Sequence, residues 1–423
     1  MKTSVLKSTL PFDPKSIRPD QTLFGASPPA VFVGYQGYPS VNIGPLLPLG
    51  EFAEKKDTSF LDSPENWFGT PMQEIIAFRS GMIRSNFRMG VKYADTLPTL
   101  MEDMNLEGRR LLDATQELTL AARSVDTETH LTKIRISMDF DNHSQPQGPS
   151  GLTDKIQIVD NISVAKPVDK ATSDRDLKAA DAVYEVLYKS KEVSVTNIQR
   201  LFSVGLLGEA KNRRLVPTRW SITAVDDIIG KSLAEKLLNF PEIDQYMTLY
   251  DEYLDNKFVI LFAPGRWAYE MNECWNNSSV WNQPVPGIYK PQHLIPAIMN
   301  DYELEQGRTS YASNITGAYY AARKEIEEWL FNRQRQARVI VFREVAGGYV
   351  VPLGVWVIRE TIRHALELAN QGVNVQIHED LNSALQRIPK HFQIPLKNWL
   401  QASHLIPYMK TQRTLDHWLK KTK

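Results

Sequence analysis

The sequence predicts a mixed α+β protein (mixed α/β) with a larger N-terminal domain, a smaller C-terminal α+β domain and a flexible C-terminal tail. Three observations predict this. The chain has 423 residues, too many for one ordinary core. Hydrophobic residues at 42% and charged residues at 23% are globular values. Strand-like alternation and helix-like periodicity are interspersed along the chain. The expected segments are an arm at 1–23, domains at 24–300 and 301–405, and a tail at 406–423.

The arm is polar and carries Pro11, Pro14 and Pro19. Phe24 to Gly34 reads as a turn feeding a short strand, Tyr35-Gln36-Gly37-Tyr38-Pro39 as a turn, and Val41 to Leu46 as a second extended piece. Ser63 is placed to cap a helix with Pro64 in its first turn, and helical spacing continues through Ile75, Ile76 and Phe78 towards Phe87. Residues 106–123 predict another helix. Lys133 to Phe140 alternates strictly, with Ile134, Ile136, Met138 and Phe140 on one face, and so predicts a half-buried strand. Thr223 with Asp226 is a capping box for a helix carrying Val225, Ile228, Ile229 and Leu233. Lys257 to Ala263, ended by Pro264-Gly265, predicts a strand buried on both faces. Further on, helices are expected at 313–335, 355–368, 379–387 and 397–404, with strands at 339–342 and 349–351.

Charge and cysteine content narrow the function. Lys+Arg and Asp+Glu are equal at 49 each, whereas a protein gripping DNA by bulk electrostatics would be basic. Any DNA contact is therefore expected in a local patch. Cys274 is the single cysteine, which excludes an internal disulfide and fits a reducing cytoplasm. No run reaches the roughly 18 apolar residues of a membrane helix, so no membrane partner is expected. The phosphate-loop pattern of ATP-driven motors is absent.

Three segments of the body are candidates for chemistry. The alternating strand ends in Asp139, Asp141 and His143 on the face opposite its apolar one, followed by a Gly-Pro loop. Two carboxylates and an imidazole there could hold a divalent metal or act as acid and base. A solvated strand end is the plainer reading. The second segment places Lys211, Arg213, Arg214 and Arg219 beside a helix start, a composition suited to phosphate from DNA or a nucleotide. Trp220 could stack on a base; in the plainer reading the cations pair with acidic neighbours and Trp220 belongs to the core. In the third, Arg266, Trp267 and Glu270 follow the buried strand, and packing is the commoner role for such a tryptophan. His364, His378, His391 and His404 are too scattered to propose a metal site.

The tail has its own signature. Gln412 is followed by Leu415, Trp418 and Leu419, a spacing that resembles the peptide by which client proteins dock on the DNA sliding clamp, PCNA. One helical turn would set the three apolar side chains on one face, leaving the Gln412 amide for a polar pocket. Burial of each apolar side chain is worth roughly 1.5–3 kcal/mol, and ordering the tail takes back several. A micromolar contact, about −8 kcal/mol, is expected. Lys410, Arg413, Lys420, Lys421 and Lys423 surround the motif and suit an acidic rim. Pro407 is expected to break the preceding helix.

The strings "FGASPPAVFVGYQGYPSVNIGPL" and "LVPTRWSITAVDD", taken with this tail, resemble the archaeal Nre family of DNA-repair proteins over essentially the whole chain. The resemblance implies a cytoplasmic, nucleoid-associated role alongside nucleotide excision repair, with clamp recruitment and excision-repair proteins as possible partners. It also implies, in many relatives, a four-cysteine N-terminal segment that this chain lacks. Two readings follow. One is a clamp-tethered repair factor that binds without chemistry. The other is an enzyme of nucleic-acid or nucleotide phosphate chemistry, which would need Asp141 and His143 to meet Arg213 and Arg219 in one pocket.

Overall fold

The computed structural model describes residues 11–95, 106–136, 148–279 and 296–411. Its contacts divide the chain into two compact units, residues 1–229 with 351–354, and residues 230–350 with 355–423. The first unit is built on a six-stranded sheet and the second on another. The architecture is mixed α/β, as the sequence predicts.

In the first unit the strands are β1 (Gln21–Ser27), β2 (Val31–Val33), β3 (Ser40–Pro48), β4 (Met82–Gly90), β5 (Val125–Arg135) and β6 (Ser150–Ile158), in the spatial order β1-β5-β6-β4-β3-β2. Alternate residues of β2, β3 and β4, including Val31, Val33, Val41, Ile43, Phe87 and Met89, meet Leu111 and Leu112 of the helix Leu106–Leu120 in one core. Phe87 therefore lies in a strand, because the helix containing Ile75 and Ile76 ends at Ser80 and Gly81 turns the chain. Pro64 begins only a single 3-10 turn, Pro64–Asn66, without a side-chain cap from Ser63.

Strand β5 begins earlier than its apolar alternation suggests. Val125, Thr127, Thr129 and Leu131 point inward, and then the pairing with β6 slips between His130 and Lys133. The slip reverses the parity. Ile134 is consequently half-buried while Arg135 is exposed, and Ile136, beyond the strand, is 47% exposed. Residues 137–147, which hold the rest of the predicted strand, lie outside the described residues.

The second unit contains β7 (Tyr246–Tyr253), β8 (Asn256–Ala263), β9 (Ala268–Trp275), β10 (Ile298–Glu303), β11 (Arg338–Val345) and β12 (Val375–His378), ordered β10-β9-β11-β8-β7-β12. Strand β11 enters between β8, antiparallel, and β9, parallel. The sheet thus joins strands from both sides of residue 300. Its three central strands are buried almost throughout, which explains the apolar runs of β8 and β11, while β9 buries Glu270, Asn272 and Glu273 among its apolar residues. On one face Phe262 meets Trp329 of the helix Gly317–Asn332. On the other, Val259, Leu261, Ile340 and Phe342 pack with Leu385, Trp399, Leu405 and Ile406. The strand expected at 349–351 is irregular backbone, while the helix Trp356–Asn370 matches its apolar spacing.

Two buried carboxylates fix the segments around Gln393 and His404 to this second face. Glu344 on β11 accepts from the backbone N–H groups of Gln393 and Ile394, each at 3.0 Å. Glu270 on β9 accepts from Ser403 Oγ and from the N–H groups of His404 at 2.6 Å and Leu405 at 3.3 Å. It therefore satisfies the N-terminus of the helix Leu405–Thr411. Pro407 sits inside that helix, in the first turn where no N–H is needed, and the break expected there falls at Ser403–His404 instead.

Ion pairs in the second unit are also buried. Glu325 lies between Lys324 and Arg363, with Arg363 Nη2 at 3.0 Å, and Glu360 accepts from Arg363 Nη1 at 2.7 Å. Burial alone would push the Glu325 carboxyl up, but Arg363 and Lys324 hold it at about 2. For Glu360 burial prevails over Arg363, and its carboxyl is pushed up to about 7.

Glu270→Ala should destabilise the protein by about 2–4 kcal/mol, because several donors lose a charged acceptor at once. A change below about 1 kcal/mol in urea unfolding would refute the capping role. The Glu360 carboxyl binds its proton more tightly in the folded state than at its ordinary 4.5. Stability should therefore fall as pH rises from about 4.5 to about 7 and level off above. Glu360→Gln should remove that decline, whose slope from one group is at most about 1.4 kcal/mol per pH unit. Denaturation curves across that range check it, and an unaltered slope would contradict it.

Candidate nucleic-acid interface

The segment expected to contact phosphate is shaped by where its helix begins. The carbonyl of Pro217 accepts from Trp220 N at 2.8 Å and Ser221 N at 3.0 Å, so the helix Thr218–Leu237 starts before the expected capping box. Thr223 and Asp226 are interior to it. Arg219 and Trp220 are consequently first-turn residues, fixed in direction by the helix.

The four cations differ in what they do. Arg213 is only 5% exposed and donates to the carbonyls of Gly208 at 2.8 Å and of Thr172 and Asp174 at 2.9 Å. Its Nε also lies 3.8 Å from an Asp95 carboxylate oxygen. Burial lowers its pKa. These bonds make Arg213 the internal brace of the loop, a role that the run of cations does not reveal.

Lys211, Arg214 and Arg219 are exposed. Lys211 lies 3.8 Å from Glu209, and Arg214 bonds the carbonyls of Lys211 and Arg213 at 3.1 and 2.7 Å. Arg214 also lines a cavity of about 220 Å³ with Lys178, Phe202 and Asn212.

Arg219 and Trp220 face a different neighbour, the loop 35–39. Thr218 Oγ1 accepts from the backbone N–H of Val33 at 2.9 Å, which joins the helix start to β2. The Arg219 guanidinium lies 5.1 Å from the Tyr35 ring centroid, within cation–π range. The Trp220 and Tyr38 rings are 5.3 Å apart and tilted by 56°. Gly37 adopts a φ of +80°, and a side chain there would collide with the Arg88 guanidinium. Arg88 Nε in turn donates to Ser40 Oγ at 3.1 Å. Sequence reasoning found Arg219 and Trp220 but read Tyr35 and Tyr38 only as turn residues, because their meeting with the helix depends on tertiary structure.

The other predicted positions separate clearly. Asp139, Asp141 and His143 lie outside the described residues, as do Gln412, Leu415, Trp418 and Leu419. Trp267 and Glu270 are buried in the second unit, and Arg266 is exposed. Near the described part of β5, His130 stands between two carboxylates, Asp154 at 2.7 Å and Asp20 at 3.4 Å. Among the described residues no group of three or more His, Cys, Asp or Glu side chains is placed to hold a metal. None of their helices is long and apolar enough to cross a membrane.

Comparison with known proteins gives a consistent result. The model described as "Archaeal Nre, N-terminal" matches residues 5–282, and "Archaeal Nre, C-terminal" matches residues 303–418. DNA repair protein NreB of Archaeoglobus fulgidus is 33% identical over 405 residues, covering 95% of this chain and 94% of that protein. DNA repair protein NreA of the same organism is 35% identical over 353 residues, covering 84% and 82%. NreA of Haloferax volcanii is 34% identical over 352 residues, covering 82% and 78%. No solved structure matches.

Arg213→Ala should lower stability by about 2–4 kcal/mol, since three backbone carbonyls lose a charged donor, that of Gly208 in a buried bond. Arg214→Ala should leave it within about 0.5 kcal/mol. Equal effects of the two substitutions on thermal unfolding would remove the distinction between brace and exposed cation.

Proposed function

The chain belongs to the archaeal Nre family, and from that premise we propose that it is a DNA-repair factor brought to DNA by the sliding clamp, acting alongside nucleotide excision repair. Gln412, Leu415, Trp418 and Leu419 supply the clamp contact, and Lys211, Arg214, Arg219 and Trp220 contact DNA. The relatives' designation as DNA-repair proteins supports the context.

The observation that supports the tethering part is an anchored helix directly ahead of the motif in sequence. Leu405 and Ile406 are 0% and 2% exposed, and their helix runs to Thr411. The clamp-like motif begins with the next residue, Gln412. An anchored helix immediately before a linear motif gives it a fixed base. A tether also compensates for zero net charge, because it raises the local DNA concentration to as much as about millimolar without a strongly basic body.

Trp418→Ala combined with Leu419→Ala should abolish clamp binding in calorimetry and leave thermal stability within about 1 kcal/mol. Unchanged clamp affinity would overturn the reading, and a large stability loss would make the tail part of the core. For the body, Lys211→Ala with Arg214→Ala should reduce the slope of log K against log salt by about one per lost phosphate contact.

A further inference from the structure

We propose that Tyr35, Tyr38 and Trp220, flanked by Arg219 and Arg88, form a stacking surface for unpaired bases of single-stranded DNA. This rests on the reading of the body as a DNA-binding one and specifies what it recognises there. The surface is assembled from two segments far apart in sequence, the loop 35–39 and the first turn of the helix at Thr218.

Exposure is the first argument. Tyr35, Tyr38 and Trp220 are 42%, 53% and 45% exposed, although each is large and aromatic. Core packing therefore does not account for three such rings brought within one small area. The second argument is rigidity. Trp220 is held by its helix, Val33 is tied to Thr218, and Tyr38 is braced against Trp220. Little conformational freedom remains to be lost when a flat ligand stacks.

Charge selects the occupant. Arg219 lies over Tyr35, and Arg88 reaches under the loop at Gly37. Both are exposed, so the rings are bordered by guanidinium groups that suit phosphate. Aromatic rings interleaved with cations match a strand whose bases are accessible and whose backbone is charged. In a duplex the base faces are hidden in the stack, so the rings would have nothing to stack on. Trp220 and Tyr38 are each about half exposed and mutually tilted by 56°, so they present ring planes at different angles, which suits two successive bases splayed apart.

Fluorescence anisotropy with the full chain, using a labelled oligothymidine and a duplex of equal length, tests this. The wild type should bind the single strand more tightly. Trp220→Ala or Tyr38→Ala should weaken single-strand binding by roughly 10- to 100-fold, as expected for one lost base stack. The salt slope should remain unchanged, Trp220→Phe should restore most of the affinity, and duplex binding should hardly respond. Equal loss on both DNAs, or single-strand affinity untouched by Trp220→Ala, would overturn the proposal and leave the rings to a protein partner. Duplex binding that depends on Lys211 and Arg214 with no single-strand preference would sink the stacking surface while sparing the phosphate loop. Absence of binding to either DNA would remove both.

Discussion

The segments from Gln393 to Thr411 depend on two carboxylates placed where water cannot reach. Glu270 and Glu344 are both 0% exposed, on neighbouring strands of the second sheet, and both accept from backbone N–H groups of the C-terminal segments. A buried carboxylate left alone would be strongly unfavourable. A helix N-terminus left without acceptors would be unfavourable too. Each relieves the other. The last described helices are thereby fixed in position as well as packed by apolar contact.

That arrangement gives the protein a division of labour consistent with its charge. A chain of zero net charge has no broad positive field with which to hold DNA. In the proposed reading, local contact and tethering supply what net charge does not. In the first unit, the exposed cations lie on a loop whose shape is kept by the inward-facing Arg213. A single run of basic residues thus divides between framework and surface. The division follows burial, since the guanidinium with the most carbonyl partners is the one removed from solvent.

The second sheet shows how sequence boundaries and structural ones diverge. Strand β11 lies between β8 and β9, so a C-terminal segment completes a sheet begun by the segment before it. Such an arrangement is read poorly along the chain because strand order is not sequence order. The same is true of β5, whose bulge makes its inward parity change midway.

The sequence by itself determined the mixed fold class, the buried character of β8, the helices at Leu106–Leu120 and Trp356–Asn370, and the family resemblance. These follow from local periodicity and from distinctive strings, which need no knowledge of distant neighbours. It also singled out Arg219 and Trp220 through composition. Tertiary structure alone decided that Arg213 faces inward, that Glu270 caps a helix, and that Tyr35 and Tyr38 meet Arg219 and Trp220. The physical reason is common to all three. A side chain's role is set by whether its polar or aromatic groups find partners brought from elsewhere in the chain, and only folding supplies those partners.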